Sequence, residues 1–297
     1  MKVFVIIVTY KGFQWYERCF TSLRNSEYPV QTIVIDNASN DGTVEYIREN
    51  FPEIHLIESK ENLGFGRANN IGMRYAMDNG CDYVCLLNQD AWIEPNMLNE
   101  LVRVHLNYPH YGLLSPMHIT AEKDHLNMLL NDGNYNYELL SDLYFGKKRD
   151  VYPISYVNAA AWLLPRDTIQ RIGGFCPLFF YCGEDDDYMN RLRFHKIMMG
   201  LVPQVYIVHD SKNRLEGSKE LANKAVSEGL HEIININLFL EPMQLFCYHL
   251  RKYVLSFFSD KKMLRSNHKQ KLIYIFNRRK DLKRIRAQHK TIGLHWL

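Results

Sequence analysis

The chain has 297 residues, 46% of them apolar and 23% charged. That composition supplies a large core and excludes wholesale disorder, and the length allows one large domain or two smaller ones. The formal net charge of +3 hides a split: residues 245–297 hold 14 Lys and Arg against 2 Asp and Glu, a net of +12, which leaves 22 against 31, a net of −9, for residues 1–244. An acidic body joined to a strongly basic tail implies that the tail meets an anionic surface, either membrane or nucleic acid.

Cys19, Cys81, Cys85, Cys176, Cys182 and Cys247 form no CxxC pair and no paired Cys/His spacing, so reduced thiols in a cytoplasmic protein are the expectation. The apolar run from Val3 to Val8 is too short for a signal-peptide core, and no stretch of about 18 apolar residues offers a membrane span.

In chain order, Val3–Val8 reads as a buried strand and Trp15–Leu23 as a helix. Thr32–Ile35 is a strand ending in Asp36-Asn37, and Thr43–Asn50 a helix started by Asp41 or Gly42. Ile54–Ile57 is a strand, Gly66–Met77 a helix closed by Asn79-Gly80, Tyr83–Leu87 a strand ending at Asn88-Gln89-Asp90, and Met97–His105 a helix. This alternation predicts a mostly parallel sheet with helices on both faces. Residues 116–150 read as a long excursion of loops with an extra hairpin. Tyr152–Leu164 is extended and rich in small residues. Short helices follow at Asp167–Ile172 and Glu184–Phe194, then a strand over Leu201–Val208 ending at His209. Glu220–Leu240, Met243–Phe258 and about Lys269–Gln288 are helical.

Ligands of open α/β sheets sit at the carboxyl ends of the strands, where Thr9-Tyr10, Asp36-Asn37 and Asn88-Gln89-Asp90 fall. Asp36 and Asn37 can hydrogen-bond a base or ribose, or simply close a strand–turn–helix junction. Asn62-Leu63-Gly64-Phe65-Gly66-Arg67-Ala68-Asn69-Asn70 places two glycines before a helix N-terminus that could face an anion, with Arg67 available to a diphosphate; a plain glycine turn is the alternative. The pattern is not GxGxxG and does not follow the first strand, which disfavours dinucleotide binding. Asp90 is placed to hold Mg²⁺ or Mn²⁺, the alternative being an N-cap for the next helix, which Trp92-Ile93-Glu94-Pro95 delays. The four carboxylates of Glu184-Asp185-Asp186-Asp187 suit a helix N-terminus, either as a solvated first turn or, at the edge of a core, as a general base. His209, taken alone, reads as a surface histidine.

As an ordered set, Val8-Thr9-Tyr10, Asp36-Asn37-Ala38-Ser39-x-Asp41-Gly42-Thr43, Asn62-x-Gly64-Phe65-Gly66-x-Ala68-Asn69-Asn70, Leu87-Asn88-x-Asp90, Gly173-Gly174-Phe175 and Glu184-Asp185-x-Asp187 resemble glycosyltransferase family 2, particularly its rhamnosyltransferase-like bacterial members. The resemblance spans about residues 3–215. It implies a GT-A fold over 1–215, with a nucleotide-binding half (1–106), an acceptor-side half (107–215) and a helical, basic extension over 216–297. It implies inverting, metal-dependent transfer of a sugar from a nucleotide-diphosphate sugar to a glycan or lipid-linked acceptor, in cell-envelope polysaccharide synthesis.

At matching positions, Thr9, Tyr10, Asp36 and Asn37 would meet the nucleoside. Asn62, Gly64, Arg67, Asn69 and Asn88 would line the nucleotide and diphosphate. Ala160 and Ala161 would border the sugar, Asp90 and His209 would hold Mg²⁺ or Mn²⁺, and Asp185, preceded by Glu184, would be the catalytic base. The sequence departs from the family at Asn88, where an Asp is usual, and at Phe175-Cys176-Pro177-Leu178, where an acidic pair is usual. Two rival readings are a nucleotidyltransferase, disfavoured by the sparse loop Thr9-Tyr10-Lys11-Gly12-Phe13, and a non-catalytic sugar-nucleotide-binding scaffold.

Residues 245–297 lie beyond the resemblance. Leu250, Tyr253, Val254, Phe257 and Phe258 recur at helical spacing. Leu272, Ile273, Ile275 and Phe276 precede Arg278-Arg279-Lys280. Apolar faces flanked by basic residues suit the inner face of an anionic membrane, or packing on the domain with a solvated basic face. No binding module for nucleic acid accompanies the charge; a homo-oligomer is compatible with the reading.

Overall fold

The computed structural model describes residues 1–127, 137–180, 182–211, 230, 233–238, 241–258 and 262–297. Its first half alternates β1 (Val3–Thr9), α1 (Phe13–Arg24), β2 (Val30–Asp36), α2 (Thr43–Asn50), β3 (His55–Glu58), α3 (Phe65–Asp78), β4 (Tyr83–Asn88), a short β5 (Ala91–Ile93) and α4 (Met97–Asn107). The second half has β6 (Tyr111–Ile119), α5 (Tyr137–Tyr144), β7 (Tyr152–Ile154), β8 (Ala161–Pro165), α6 (Arg166–Ile172), α7 (Glu184–Phe194) and β9 (Met198–His209). Two helices of the tail follow, α8 (Pro242–Leu255) and α9 (Lys262–His289).

One sheet runs β3-β2-β1-β4-β8-β6-β9-β5, with β7 paired to β9. The expected parallel pairing holds for β1 with β2 and β4 and for β2 with β3. Beyond β4 the sheet is mixed: β8 is antiparallel to β4, β5 and β7 are antiparallel to β9, and β6 is parallel to β9. Strand β1 shows why this sheet is central. Val3, Val5 and Ile7 enter a core with Tyr16, Phe20, Ile47 and Leu101, while Phe4 and Ile6 enter the opposite one with Ala68, Met73, Ile169 and Tyr188. Period-two alternation thus sends α1, α2 and α4 to one face and α3, α6 and α7 to the other.

The structure corrects several expectations. Residues 116–119 complete β6, a strand missing from the sequence reading, and residues 137–144 are a helix in place of the hairpin; residues 128–136 lie outside the described part. Tyr152–Leu164 is two strands separated by a loop, because β7 pairs with β9 and β8 with β4. Most of the helix expected over Glu220–Leu240 falls outside the described residues. The basic tail packs on the body of the fold. Leu245, Ile275, Leu282 and Ile285 share a core with Cys176 and Phe179, and the Gly174 N–H donates to the His295 carbonyl over 2.8 Å.

Gly72 lets α3 lie directly on the sheet: a Cβ there would meet Ile6 Cγ2 at 2.5 Å and Ile35 Cδ1 at 2.8 Å. Gly72→Ala gains helix propensity but overpacks the core, and a net loss of about 1–3 kcal/mol is expected in denaturant unfolding.

Candidate active site

Strand register builds the site. Thr9 pairs with Asp36 across β1 and β2, Val8 with Asn88 across β1 and β4, and Leu87 with Ala161 across β4 and β8. Ala91 pairs with His209 across β5 and β9. The ends of six strands therefore bring Thr9, Asp36, Asn88, Asp90, Ala160, Ala161 and His209 to one edge of the sheet.

Asp36 is buried, and its carboxylate accepts from Thr9 Oγ1 (3.1 Å), from the Ser39 N–H (3.0 Å) and from Ser39 Oγ. Asn37 ties this loop to the next motif: its Nδ2 donates to Asn62 Oδ1 (2.9 Å), and its Oδ1 accepts the Leu63 N–H (2.8 Å). Asn62 Oδ1 also accepts the Gly64 N–H at 2.9 Å. Gln89 clasps Tyr10 from both sides, accepting its N–H at 2.8 Å and donating to its carbonyl at 3.1 Å. Lys11, Ala38 and Asn40 hold positive φ in these two loops, a strained backbone of the kind that concentrates at ligand sites.

Glycines let the second half close on the first. A Cβ on Gly64, at φ +79, would lie 2.2 Å from the Phe180 carbonyl oxygen, and one on Gly66 would lie 3.0 Å from Phe175 Cβ. The Arg67 guanidinium donates to the Pro177 carbonyl (Nη2 at 2.9 Å), so it joins the two halves at this point. Asn69 donates locally to the Phe65 carbonyl. Its neighbour Asn70 makes the longer link, exchanging two hydrogen bonds with the Phe175 backbone at 2.7 and 2.9 Å.

Asp90 and His209 are 1% and 3% exposed, with His209 Nε2 3.5 Å from Asp90 Oδ1. The surface reading of His209 is thus overturned, because β9 carries it into the sheet edge beside β5. The Asn88 Oδ1 atom is buried with no hydrogen-bond partner, and the Asn88 N–H donates to the Ala160 carbonyl at 3.0 Å. A carboxylate, an imidazole and an orphaned amide oxygen are donors a Mg²⁺ or Mn²⁺ ion accepts, so these residues fit such an ion.

Asp185 sits at the start of α7, part-buried, with Tyr156 OH 3.4 Å from its Oδ2. Burial first, and then the charge of Asp186, raise its pKa from 3.8 to about 6. Glu184 and Asp187 are buried, so the acidic run is not a solvated turn. Asp187 is held by Arg191 Nε at 3.0 Å, and Arg191 also donates to the carbonyls of Ile172 and Gly174, both at 2.8 Å.

Sequence reasoning missed two buried groups near the metal-type cluster. Asp210 accepts from Trp15 Nε1 at 3.0 Å. His118 lies with its ring centroid 6.2 Å from that of His209, and burial, with His209 nearby, pushes its pKa well below 6.5. Reading β6 as a strand that ends near Ile119 would have exposed His118.

A parallel first half, a rim of polar strand ends and an acidic helix start are the layout of a GT-A glycosyltransferase. The family model described as "Glycosyl transferase family 2" matches residues 4–172, and the chain belongs to that family; it is a glycosyltransferase. Among its relatives is a low-salt glycan biosynthesis hexosyltransferase of Haloferax volcanii, 23% identical over 223 residues, 73% of this chain and 71% of the relative. Another is the N-acetylglucosaminyl-diphospho-decaprenol L-rhamnosyltransferase of Mycobacterium tuberculosis, 25% identical over 69% of this chain and 75% of the relative. In fold, the chain resembles the mannosyltransferase of Pyrobaculum calidifontis solved with GDP-Man and Mn²⁺, at TM-score 0.55 and 18% identity, covering 97% of this chain and 73% of that one. Family membership decides against the nucleotidyltransferase reading.

Gly64→Ala meets two faults at once, a left-handed backbone and the Phe180 carbonyl. Unfolding experiments should show a loss of at least about 1–3 kcal/mol.

Proposed function

We propose that the enzyme transfers a sugar, with inversion, from a nucleotide-diphosphate donor to a hydroxyl of a glycan or lipid-linked acceptor in cell-envelope polysaccharide synthesis. The observation that carries this reading is the pairing of two unlike acidic sites. A rim of buried Asp36, Asp90 and His209 with half-buried Asn88 suits nucleotide, diphosphate and cation, while Asp185, on α7, has its pKa raised to about 6 by burial and by Asp186. The relatives named above act on rhamnosyl and hexosyl chemistry, which favours a hexose or deoxyhexose.

Asp36, Asn37 and Asn62 hold the loops that face the nucleoside, and Thr9 fixes the Asp36 carboxylate. Ala160 and Ala161, small and close to Asn88, leave room for the sugar. Asp90, His209 and the Asn88 amide oxygen would hold Mg²⁺ or Mn²⁺, which when bound supplies positive charge to the diphosphate. Asp185 accepts the proton of the acceptor hydroxyl as its oxygen attacks the anomeric carbon. The bond from that carbon to the diphosphate oxygen breaks, and its electron pair leaves with the nucleoside diphosphate. A base with pKa about 6 is ionised at neutral pH yet basic enough to draw the proton.

No helix among the described residues is long and apolar enough to cross a membrane. The tail offers a different contact. Leu250, Val254, Leu255 and Phe257 are exposed from α8 onward, and Ile273 and Phe276 on α9, close in sequence to exposed Arg251, Lys252, Arg278 and Arg279. This face suits peripheral binding to an anionic leaflet that presents a lipid-linked acceptor.

Asp185→Asn should lower kcat about 10²–10⁴-fold with donor affinity retained, measured by turnover and by titration of the donor. In the wild type, kcat/KM should fall as pH drops below about 6, because a protonated Asp185 can no longer accept a proton; a flat profile through that range contradicts the assignment. Binding to anionic vesicles should weaken in high salt and in the double variant Arg278→Glu, Arg279→Glu, as read by sedimentation.

A further inference from the structure

Behind the base-bearing helix, three side chains from separate segments converge in the interior. Cys176 follows the Gly173-Gly174-Phe175 turn, Asp187 lies on α7 and His289 ends α9. All three are at most 1% exposed. One ligand atom from each, a thiol sulfur, a carboxylate oxygen and an imidazole nitrogen, lies within 4.8 Å of the other two.

The polar atoms here are unsatisfied in a specific way. Arg191 occupies Asp187 Oδ2 and spends further N–H groups on backbone carbonyls. Asp187 Oδ1 and both ring nitrogens of His289 have no hydrogen-bond partner. Leaving such groups unmade in the interior is costly, and each instance calls for an explanation. His289 Nδ1 lies 3.4 Å from Asp187 Oδ1, beyond the usual N–H···O range of about 2.7–3.2 Å. It is the separation expected of two ligands that each lie about 2.0–2.1 Å from a tetrahedral zinc ion.

We propose that Cys176, Asp187 and His289 form a zinc site that fastens the end of the basic tail to the helix carrying Asp185. A thiolate, an imidazole and a carboxylate select Zn²⁺ over Mg²⁺ or Mn²⁺, and one exchangeable ligand completes the tetrahedron. The site is chemically distinct from the oxygen-rich cluster of Asn88, Asp90 and His209. With Arg191 on Asp187, the thiolate and the carboxylate offset all but one of the positive charges that Zn²⁺ and the guanidinium bring together. Burial lowers the pKa of His289 to about 4, so its ring is neutral and able to coordinate. Burial raises that of Cys176, so binding displaces the thiol proton to solvent. The site also uses two features that the transfer reaction leaves over: the third acid of Glu184-Asp185-x-Asp187, and the cysteine where the family usually has an acidic pair.

The test uses the full chain, stripped with a chelator and titrated with Co²⁺ alone and then with Zn²⁺. Co²⁺ should give an intense thiolate-to-cobalt charge-transfer band in the near ultraviolet, and Zn²⁺ should abolish that band. Cys176→Ser and His289→Ala should each lose the band and weaken binding by more than the roughly 10–100-fold that loss of an outer-shell partner costs. Asp90→Ala should keep the band. Zn²⁺ should also raise the Tm of the wild type and of Asp90→Ala but not that of Cys176→Ser. Absence of the band in the wild type overturns the proposal whether or not the variants fold, and so does its persistence in Cys176→Ser. Neither result bears on sugar transfer, which is read separately by turnover.

Discussion

Strand β1 is hydrogen-bonded in parallel to both β2 and β4, and the three strands end together, so Thr9, Asp36 and Asn88 reach one edge through backbone pairing. The rest of the site is arranged around that register. A slip of one residue would turn each polar end toward the opposite face and expose the alternating cores beneath. Antiparallel β8 brings its first residues to the same edge, which is why the small Ala160-Ala161 pair lies beside Asn88. Strand β9 arrives last and sets His209 against Asp90 through its pairing with β5.

The second half carries Asp185, the proposed base, and closes against this edge. Close backbone approach does much of that work: Gly64 faces Phe180, Gly66 faces Phe175, and Asn70 exchanges two hydrogen bonds with the Phe175 backbone. The N-terminus of α7 lies next to these contacts. A helix N-terminus favours an anion by about 0.3–1 kcal/mol, less than one pKa unit of about 1.36 kcal/mol. Burial and the neighbouring Asp186 outweigh it, and the Asp185 carboxyl ends near 6 instead of below 4. On the far side of α7, Arg191 fixes Asp187 to the Gly173-Gly174 turn, where the tail also docks through His295.

Much of this was legible in the sequence because local pattern and tertiary role agree over residues 3–107. Apolar runs ended in Asp36-Asn37 and Asn88-Gln89-Asp90, and the strands end there. Later in the chain they diverge. Strand β6 contains Ser115, Pro116 and His118, polar or strand-breaking types that are tolerated because β8 and β9 flank it. Its end, with His118 beside His209, therefore read as loop. His209 looked like a surface residue because its burial depends on β5, three residues long and invisible to periodicity. The Asp187–Arg191 pair, four residues apart on one helix, was open to detection from spacing alone. The docking of the tail was not, since the charge split that marks it says nothing of which apolar residues face inward.

The central proposal is a nucleotide-diphosphate site at the sheet edge, with Asp90 and His209 as the residues that would hold its cation. The most direct measurement is a thermal-shift titration of the full chain with UDP, GDP and dTDP, each with and without Mn²⁺, in the wild type and in Asp90→Ala. One base should stabilise the wild type well above the others, Mn²⁺ should enlarge the shift, and Asp90→Ala should lose the Mn²⁺-dependent part. Equal, metal-independent shifts for all three nucleotides, unchanged in Asp90→Ala, would contradict the proposal.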